Sequence, residues 1–434
     1  MFKRQIHLKR FFVCALFSLS VCLSVFAQKT NVNVQTELAR FEKSIAQGNV
    51  NEIEQSLLNF AVKNPDNPKV LELLAQVRYR QNRLPEAEAL YRRVLALDSN
   101  SISARIQLAR IVYEQGRRDE AGQILSDIPV NSNIEPTTRL NLAFALFQVH
   151  EFQKSLAAIE KLPLKIKNTD ALPVAAANYL ELGDKQKLNQ LVPLMKKAAA
   201  ANPALASQCA EVLQNAGMQK ESVALLQAAL ANAPNDVGVL VFLGRLEVKA
   251  KDFTQAKQHL DRAAKLQPKS AEVLFAQSSL ENARGNSAKA FDLLNQARQI
   301  APKTPAILTD FVFTAMRLNQ TQAAVDAAQI LLEINAEEPE YQYLFGVASL
   351  QNGNIAAAQK SLENFVRQRP NDSRGCIVLG LTLAAKPEQL EIARKQFNHC
   401  IEIDPNNFEA KYQLGLSYKT QGDTAKAIQY LEET

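Results

Sequence analysis

The side chains that could carry out chemistry are few in this chain and poorly spaced for it. Beyond residue 27 there are three histidines, His150, His259 and His399, and none has a partner at metal-ligand spacing in sequence. The patterns that cradle phosphate, bind zinc or present a nucleophile are missing: no GxxxxGK(S/T), no GxGxxG, no HExxH, no GxSxG and no pair of CxxC motifs. Acidic residues are plentiful but scattered, as on the solvated faces of helices. No catalytic, metal-ligating or cofactor-binding residue is expected, and the chain is read as a non-enzyme that needs no cofactor.

Charge narrows the partners. The formal net charge of +6 includes Lys3, Arg4, Lys9 and Arg10, which leaves 46 basic against 44 acidic side chains, a net of +2, in the remainder. Nucleic acid gains no support from that balance. The opening segment pairs a basic stretch, Met1 to Arg10, with an apolar run from Phe11 to Ala27, and Val25 and Ala27 precede Gln28 as the small pair before a cut. Residues 1–27 therefore read as a secretory signal peptide cleaved after Ala27, with an exported, periplasmic or extracellular mature chain. The apolar run is about 17 residues, near the lower limit for spanning a bilayer, so an uncleaved anchor is the alternative. No later stretch is long and apolar enough to span a membrane.

The elements that position everything else show a period. Gly48, Gly116, Gly183, Gly217, Gly285, Gly353 and Gly422 are separated by 68, 67, 34, 68, 68 and 69 residues, each within one of a multiple of 34. Pro234, Pro268, Pro302, Pro370 and Pro405 keep the same step, as do Ala256, Ala290, Ala324, Ala358, Ala393 and Ala427. With Pro234 as position 32 of a unit, the seven glycines fall at position 15, the alanines at 20, and Gly244, Gly346, Gly380 and Gly415 at 8. Small residues at 8 and 20 let two antiparallel helices approach closely; glycine at 15 ends the first helix and proline at 32 stops the second. Asp236, Ser270 and Thr304 then stand where the next helix needs an N-cap, with Pro305 at its first turn.

Here the chain resembles the tetratricopeptide repeat family, whose pattern in this register is a large residue at 4, Leu at 7, Gly or Ala at 8, Tyr at 11, Ala at 20, Phe or Tyr at 24, Ala at 27 and Pro at 32. The unit Val237 to Ser270 supplies Leu240, Leu243, Gly244, Ala256, Leu260, Ala263 and Pro268; the last supplies Leu414, Gly415, Tyr418, Gly422, Ala427 and Leu431. The resemblance implies an all-α chain, an α-solenoid wound as a right-handed superhelix of about twelve 34-residue helical hairpins. The expected organisation is 28–67 as a degenerate first repeat, 68–236 as repeats that are degenerate over 136–202, and 237–434 as regular repeats with the last one incomplete. Ser155 and Leu188 at position 20 mark the two units that depart most from the pattern.

In this family the first helix of each hairpin lines a groove at positions 5, 9 and 12, and the partners are proteins or peptides. Those positions hold Phe275, Ser279 and Asn282, then Thr309, Phe313 and Met316, then Tyr343, Val347 and Leu350, then Tyr412, Leu416 and Lys419. That stripe is apolar and aromatic for a solvated surface; packing against the adjoining repeat is the alternative reading. Toward the N-terminus it holds Gln76, Arg110 and Tyr113. Cys209, Cys376 and Cys400 fall at core positions, where buried thiols are one expectation. Cys376 and Cys400 share a hairpin at matching distances from its turn, so a disulfide is the other. The functional expectation is a protein-binding scaffold of the bacterial cell envelope, or the helical arm of an envelope export machine such as those secreting exopolysaccharide. An unfinished second helix at Thr434 favours the second.

Overall fold

The computed structural model describes residues 34–129 and 134–432. The signal segment expected over 1–27 lies outside them. Among the described residues the chain is entirely helical, with no strand, and forms an α-solenoid of the expected 34-residue hairpins. It divides into two compact units: Met1–Ala198 with Glu211–Met218, and Ala199–Ala210 with Gln219–Thr434. The helix Pro203–Asn215 is shared between them.

Four hairpins open the first unit: residues 34–46 with Val50–Lys63, Pro68–Arg80 with Leu84–Leu97, Ile102–Glu114 with Arg118–Ser126, and Pro136–Gln148 with Phe152–Glu160. Phe152–Glu160 is short, and the chain makes one extra turn, Leu164–Lys167, before Leu172–Glu181. Pro163, immediately before that turn, has no N–H to continue a helix. Ser155 takes the place of the usual alanine here without forcing the helices apart. It is fully buried, donates to the carbonyl of Ala143 at 2.6 Å and accepts from Asn178 Nδ2 at 2.9 Å.

The second unit holds six hairpins, numbered one to six in chain order. They are Val237–Lys249 with Phe253–Leu266, Ala271–Ala283 with Ser287–Ile300, Pro305–Arg317 with Thr321–Ile334, Pro339–Gln351 with Ile355–Gln368, Ser373–Ala384 with Leu390–Ile403, and Phe408–Gln421 with Thr424–Glu432. Asp236 and Ser270 cap as expected, accepting from the amides of Val239 at 2.9 Å and Val273 at 3.4 Å. Thr304 stands at its cap position with an extended backbone but makes no side-chain cap bond; the fixed φ of Pro305 starts that helix without it.

Every glycine at position 15 adopts the left-handed conformation, and Asn82, His150, Lys251 and Asn319 adopt it where glycine is missing. Hairpin five is different. Lys386 is extended ahead of Pro387, a 3-10 turn covers Pro387–Gln389, and no residue of this turn is left-handed.

In four of the six hairpins of the second unit, position 8 is a glycine against the second helix: Gly244, Gly346, Gly380 and Gly415. A Cβ placed on Gly244 would lie 2.7 Å from Cγ and Cδ2 of Leu260, which is fully buried and has nowhere to swing. Alanine there would improve helix propensity by about 1 kcal/mol, against an overpacking cost of about 1–3 kcal/mol. Gly244→Ala is therefore expected to lower stability by about 1 kcal/mol in urea unfolding. At Gly122 the nearest atom to an added Cβ is 3.9 Å away, so Gly122→Ala should instead raise stability, by up to about 1 kcal/mol.

Candidate protein-interaction face

The first helices of the second unit direct positions 4, 7, 8 and 11 into the hairpins, which leaves 5, 9 and 12 on the opposite face by the four- and three-residue spacing of a helix. The structure separates this stripe into two kinds of residue. Phe275 and Met316 pack against the core around Leu308, Phe311 and Leu331, and Leu350 packs against the next cluster, around Leu362 and Phe397. Tyr343 lies 5.1 Å from the Phe365 ring and beneath the Arg374 guanidinium at 4.8 Å, and its burial pushes the phenol pKa up. Asn282 donates to Thr314 Oγ1 at 3.0 Å and accepts from Arg317. These five residues join one hairpin to the next.

Phe313 and Tyr412 are different. They are 47% and 44% exposed, unusual for large rings in the middle of packed helices. Val347 and Leu416, at position 9 like Phe313, are half-buried, whereas Leu381 at the same position of hairpin five packs against the cluster that also takes Leu350. One helical turn before Phe313, Asp310 is half-buried; burial raises its pKa and the charge of Arg245 acts the other way.

The equivalent face of the first unit carries one exposed ring, Phe144, at position 9 of Pro136–Gln148; over Pro68–Arg80 and Ile102–Glu114 it is polar and internally paired. The Arg110 guanidinium stacks 4.8 Å from the Tyr79 ring and pairs with Glu114 at 3.2 Å, Tyr79 Oη donates to Glu114 at 2.5 Å, and Tyr113 packs on the core. Beside it runs a ladder that the glycine and proline register does not reveal. Gln81 Nε2 donates to Glu54 at 2.7 Å and Gln115 Nε2 to Glu88 at 3.1 Å, while Arg83 and Arg117 pair with the same two carboxylates. Glu54 and Glu88, Gln81 and Gln115, and Arg83 and Arg117 are each 34 residues apart, a repeat of polar type that could have been found by the same search.

Hydrogen bonds from Gln81 and Arg78 hold the Glu54 carboxyl below its usual range. Burial works against ionisation of Glu88, but bonds from Arg117, Arg92 and Gln115 outweigh it. Groups with lowered folded pKa add stability above the unfolded value near ~4.3, and that stability is lost as pH falls through the folded values. The melting temperature of the first unit is therefore expected to fall on acidification below that range, and less steeply in a Glu54→Gln, Glu88→Gln variant, as read by circular dichroism.

The remaining reactive side chains are dispersed. His259 Nδ1 is 2.8 Å from Glu247, His399 Nε2 is 3.0 Å from the carbonyl of Pro370, and His150 lies in a left-handed turn beside Phe152. Among the described residues no three His, Cys, Asp or Glu side chains come together as a metal site, and no helix is long and apolar enough to cross a membrane. Cys376 and Cys400 are bonded to each other, with Cα atoms 5.8 Å apart, in the hairpin that lacks the left-handed turn. Cys209 is a buried free thiol whose pKa burial pushes up to about 12. The chain without residues 1–27 should thus show no thiol reactive toward Ellman's reagent when native, one in denaturant, and three after reduction and denaturation.

Sequence models of the tetratricopeptide repeat match residues 46–102, 78–133, 216–280 and 397–429. The chain is a tetratricopeptide-repeat protein, a class that mediates protein–protein interaction and whose fold is generally a non-catalytic scaffold. It is 21% identical over 404 residues to the human signal recognition particle subunit SRP72, covering 89% of this chain and 54% of that one. It is 29% identical over 251 residues to cellulose synthase operon protein C of Komagataeibacter xylinus, covering 50% and 18%. Among solved structures, the human IFIT1 dimer aligns with a TM-score of 0.42 at 16% identity, over 88% of this chain and 93% of that one. The chain spans about half the length of SRP72 and less of the cellulose synthase operon protein.

Proposed function

We propose that this chain is a non-enzymatic interaction scaffold of the bacterial cell envelope, which holds a partner protein segment on the first-helix face of its second unit. The observation that carries this reading is the exposure of Phe313 and Tyr412, while Phe275, Met316, Tyr343 and Leu350 of the same stripe are occupied in packing. Side chains of this size left open at the centre of a face are the kind that anchor interfaces. The location rests on the signal-like segment 1–27, and the protein class of the partner rests on the repeats. No nucleic-acid partner is part of the proposal, since the net charge gives it no support.

A second reading, that the chain is the helical arm of an envelope export or assembly machine, is favoured by the similarity over half its length to cellulose synthase operon protein C. Both readings use the same face. The test is affinity capture from the native envelope fraction with wild type and a Phe313→Ser, Tyr412→Ser variant, checked for equal helicity and melting temperature. Partners recovered by wild type and lost from the variant are expected. Equal recovery by both proteins would remove this face from the account.

A further inference from the structure

We infer that the Cys376–Cys400 bond is a redox latch: intact, it keeps hairpins five and six folded onto the solenoid, and its reduction by a dithiol releases these two hairpins together while hairpins one to four stay folded. The inference stands on the fold and does not depend on the scaffold reading above. Cys376 lies on the first helix of hairpin five and Cys400 on the second, 24 residues further along the chain. Both are buried, and the bond closes the hairpin at the end away from its turn.

Hairpin five depends on the bond because its other closures are weak. Its turn has no left-handed residue, whereas the turns of hairpins one to four and six each have one, at Lys251, Gly285, Asn319, Gly353 and Gly422. Its first helix, Ser373–Ala384, contains Gly375 and Gly380, and interior glycines favour the unfolded chain. Neither has room for a side chain, since Gly375 lies against Phe365 of hairpin four and Gly380 against Phe397. Packing thus imposes a poor helix former here. Without the cross-link, the opened hairpin regains the freedom of the whole intervening loop.

Hairpin six is coupled to this opening. Cys376 and Cys400 share a buried cluster with Ala410, on the first helix of hairpin six. The buried guanidinium of Arg394, on the second helix of hairpin five, donates to Ser417 Oγ at 2.9 Å, to the Ser417 carbonyl at 2.7 Å and to Gln421 Oε1 at 2.5 Å, and lies 4.1 Å from the centre of the Tyr418 ring. Hairpin six packs chiefly on hairpin five, as the end of a stack does. The polar link back to hairpin four, Arg374 to Glu340 at 3.1 Å, is exposed on both sides and therefore weaker. Apolar packing continues across both junctions, so the polar links decide that the array parts between hairpins four and five.

Reduction needs a thiolate to reach one of the two sulfurs. Because both cysteines are buried in the cluster with Ala410, a dithiol reaches them only after hairpin six lifts. The first thiolate of the dithiol bonds to one protein sulfur and displaces the other as thiolate; its second thiolate then displaces the first protein sulfur and closes the donor's own disulfide. Two electrons and two protons pass from the donor to Cys376 and Cys400. Reduction thus follows a first opening and then prolongs it, carrying Tyr412 away and leaving Phe313 in place.

The test is hydrogen–deuterium exchange read by mass spectrometry on the full chain, oxidised and after reduction with dithiothreitol, and on a Cys376→Ala, Cys400→Ala variant. Amides over 373–432 should exchange about a hundredfold faster in the reduced chain and in the variant, while those over 237–368 keep their rates. The reduced wild type retains both sulfurs, so its result does not depend on how the alanine pair repacks. Alkylation and mass establish that reduction is complete. Unchanged exchange over 373–432 in the fully reduced chain would overturn the latch. So would equal acceleration over 237–368, or free thiols at 376 and 400 in the air-oxidised chain.

Discussion

Two antiparallel helices can pack this closely only if one residue at their crossing has almost no side chain, and the rest of the architecture depends on that constraint. At Gly244, Gly346 and Gly415 an added Cβ would fall within 3 Å of a leucine from the second helix of the same hairpin. With the hairpin fixed at that crossing, its interior positions are filled by large aliphatic and aromatic side chains, and the remaining faces must pack on neighbours. A hairpin cannot cover its own apolar surface, so stacking follows, and stacking is what arranges position 9 of each first helix into a ladder.

The first-helix faces of the two units differ in their polar pairing, although each exposes a phenylalanine at position 9, Phe144 in the first and Phe313 in the second. In the first, Arg110, Tyr79 and Glu114 satisfy one another, and the neighbouring ladder of Glu54, Gln81, Arg83 and their counterparts 34 residues on ties successive hairpins together. In the second, from Phe313 onward, position 9 of the first helices carries apolar side chains with no polar group to satisfy. Burying such a ladder is favourable only if something else supplies the cover.

Much of this was legible from residue types alone. The glycines at 15, the alanines at 20 and the caps Asp236 and Ser270 each have a backbone or packing reason, so their period could be read without coordinates. The turns at Asn82, His150, Lys251 and Asn319 were less legible, because the left-handed conformation there is imposed by the hairpin and not signalled by glycine. In hairpin five a proline in the loop removed the usual turn, and the Cys376–Cys400 bond ties that hairpin at its other end.

The stripe could be placed but not sorted. Phe275, Met316, Tyr343 and Leu350 are as apolar as Phe313, and only the depth of the neighbouring hairpin decides which are covered. Polar pairing across hairpins, as between Asn282 and Thr314, depends on side-chain reach and is not written in the period.

The measurement that tests the account most directly is photo-crosslinking in living cells, with a benzophenone amino acid placed either at position 313 or at the exposed position 392 on the second helix of hairpin five. The account predicts a discrete crosslinked partner from 313 and none from 392. Crosslinks of equal yield from both positions, or from 392 alone, would contradict it.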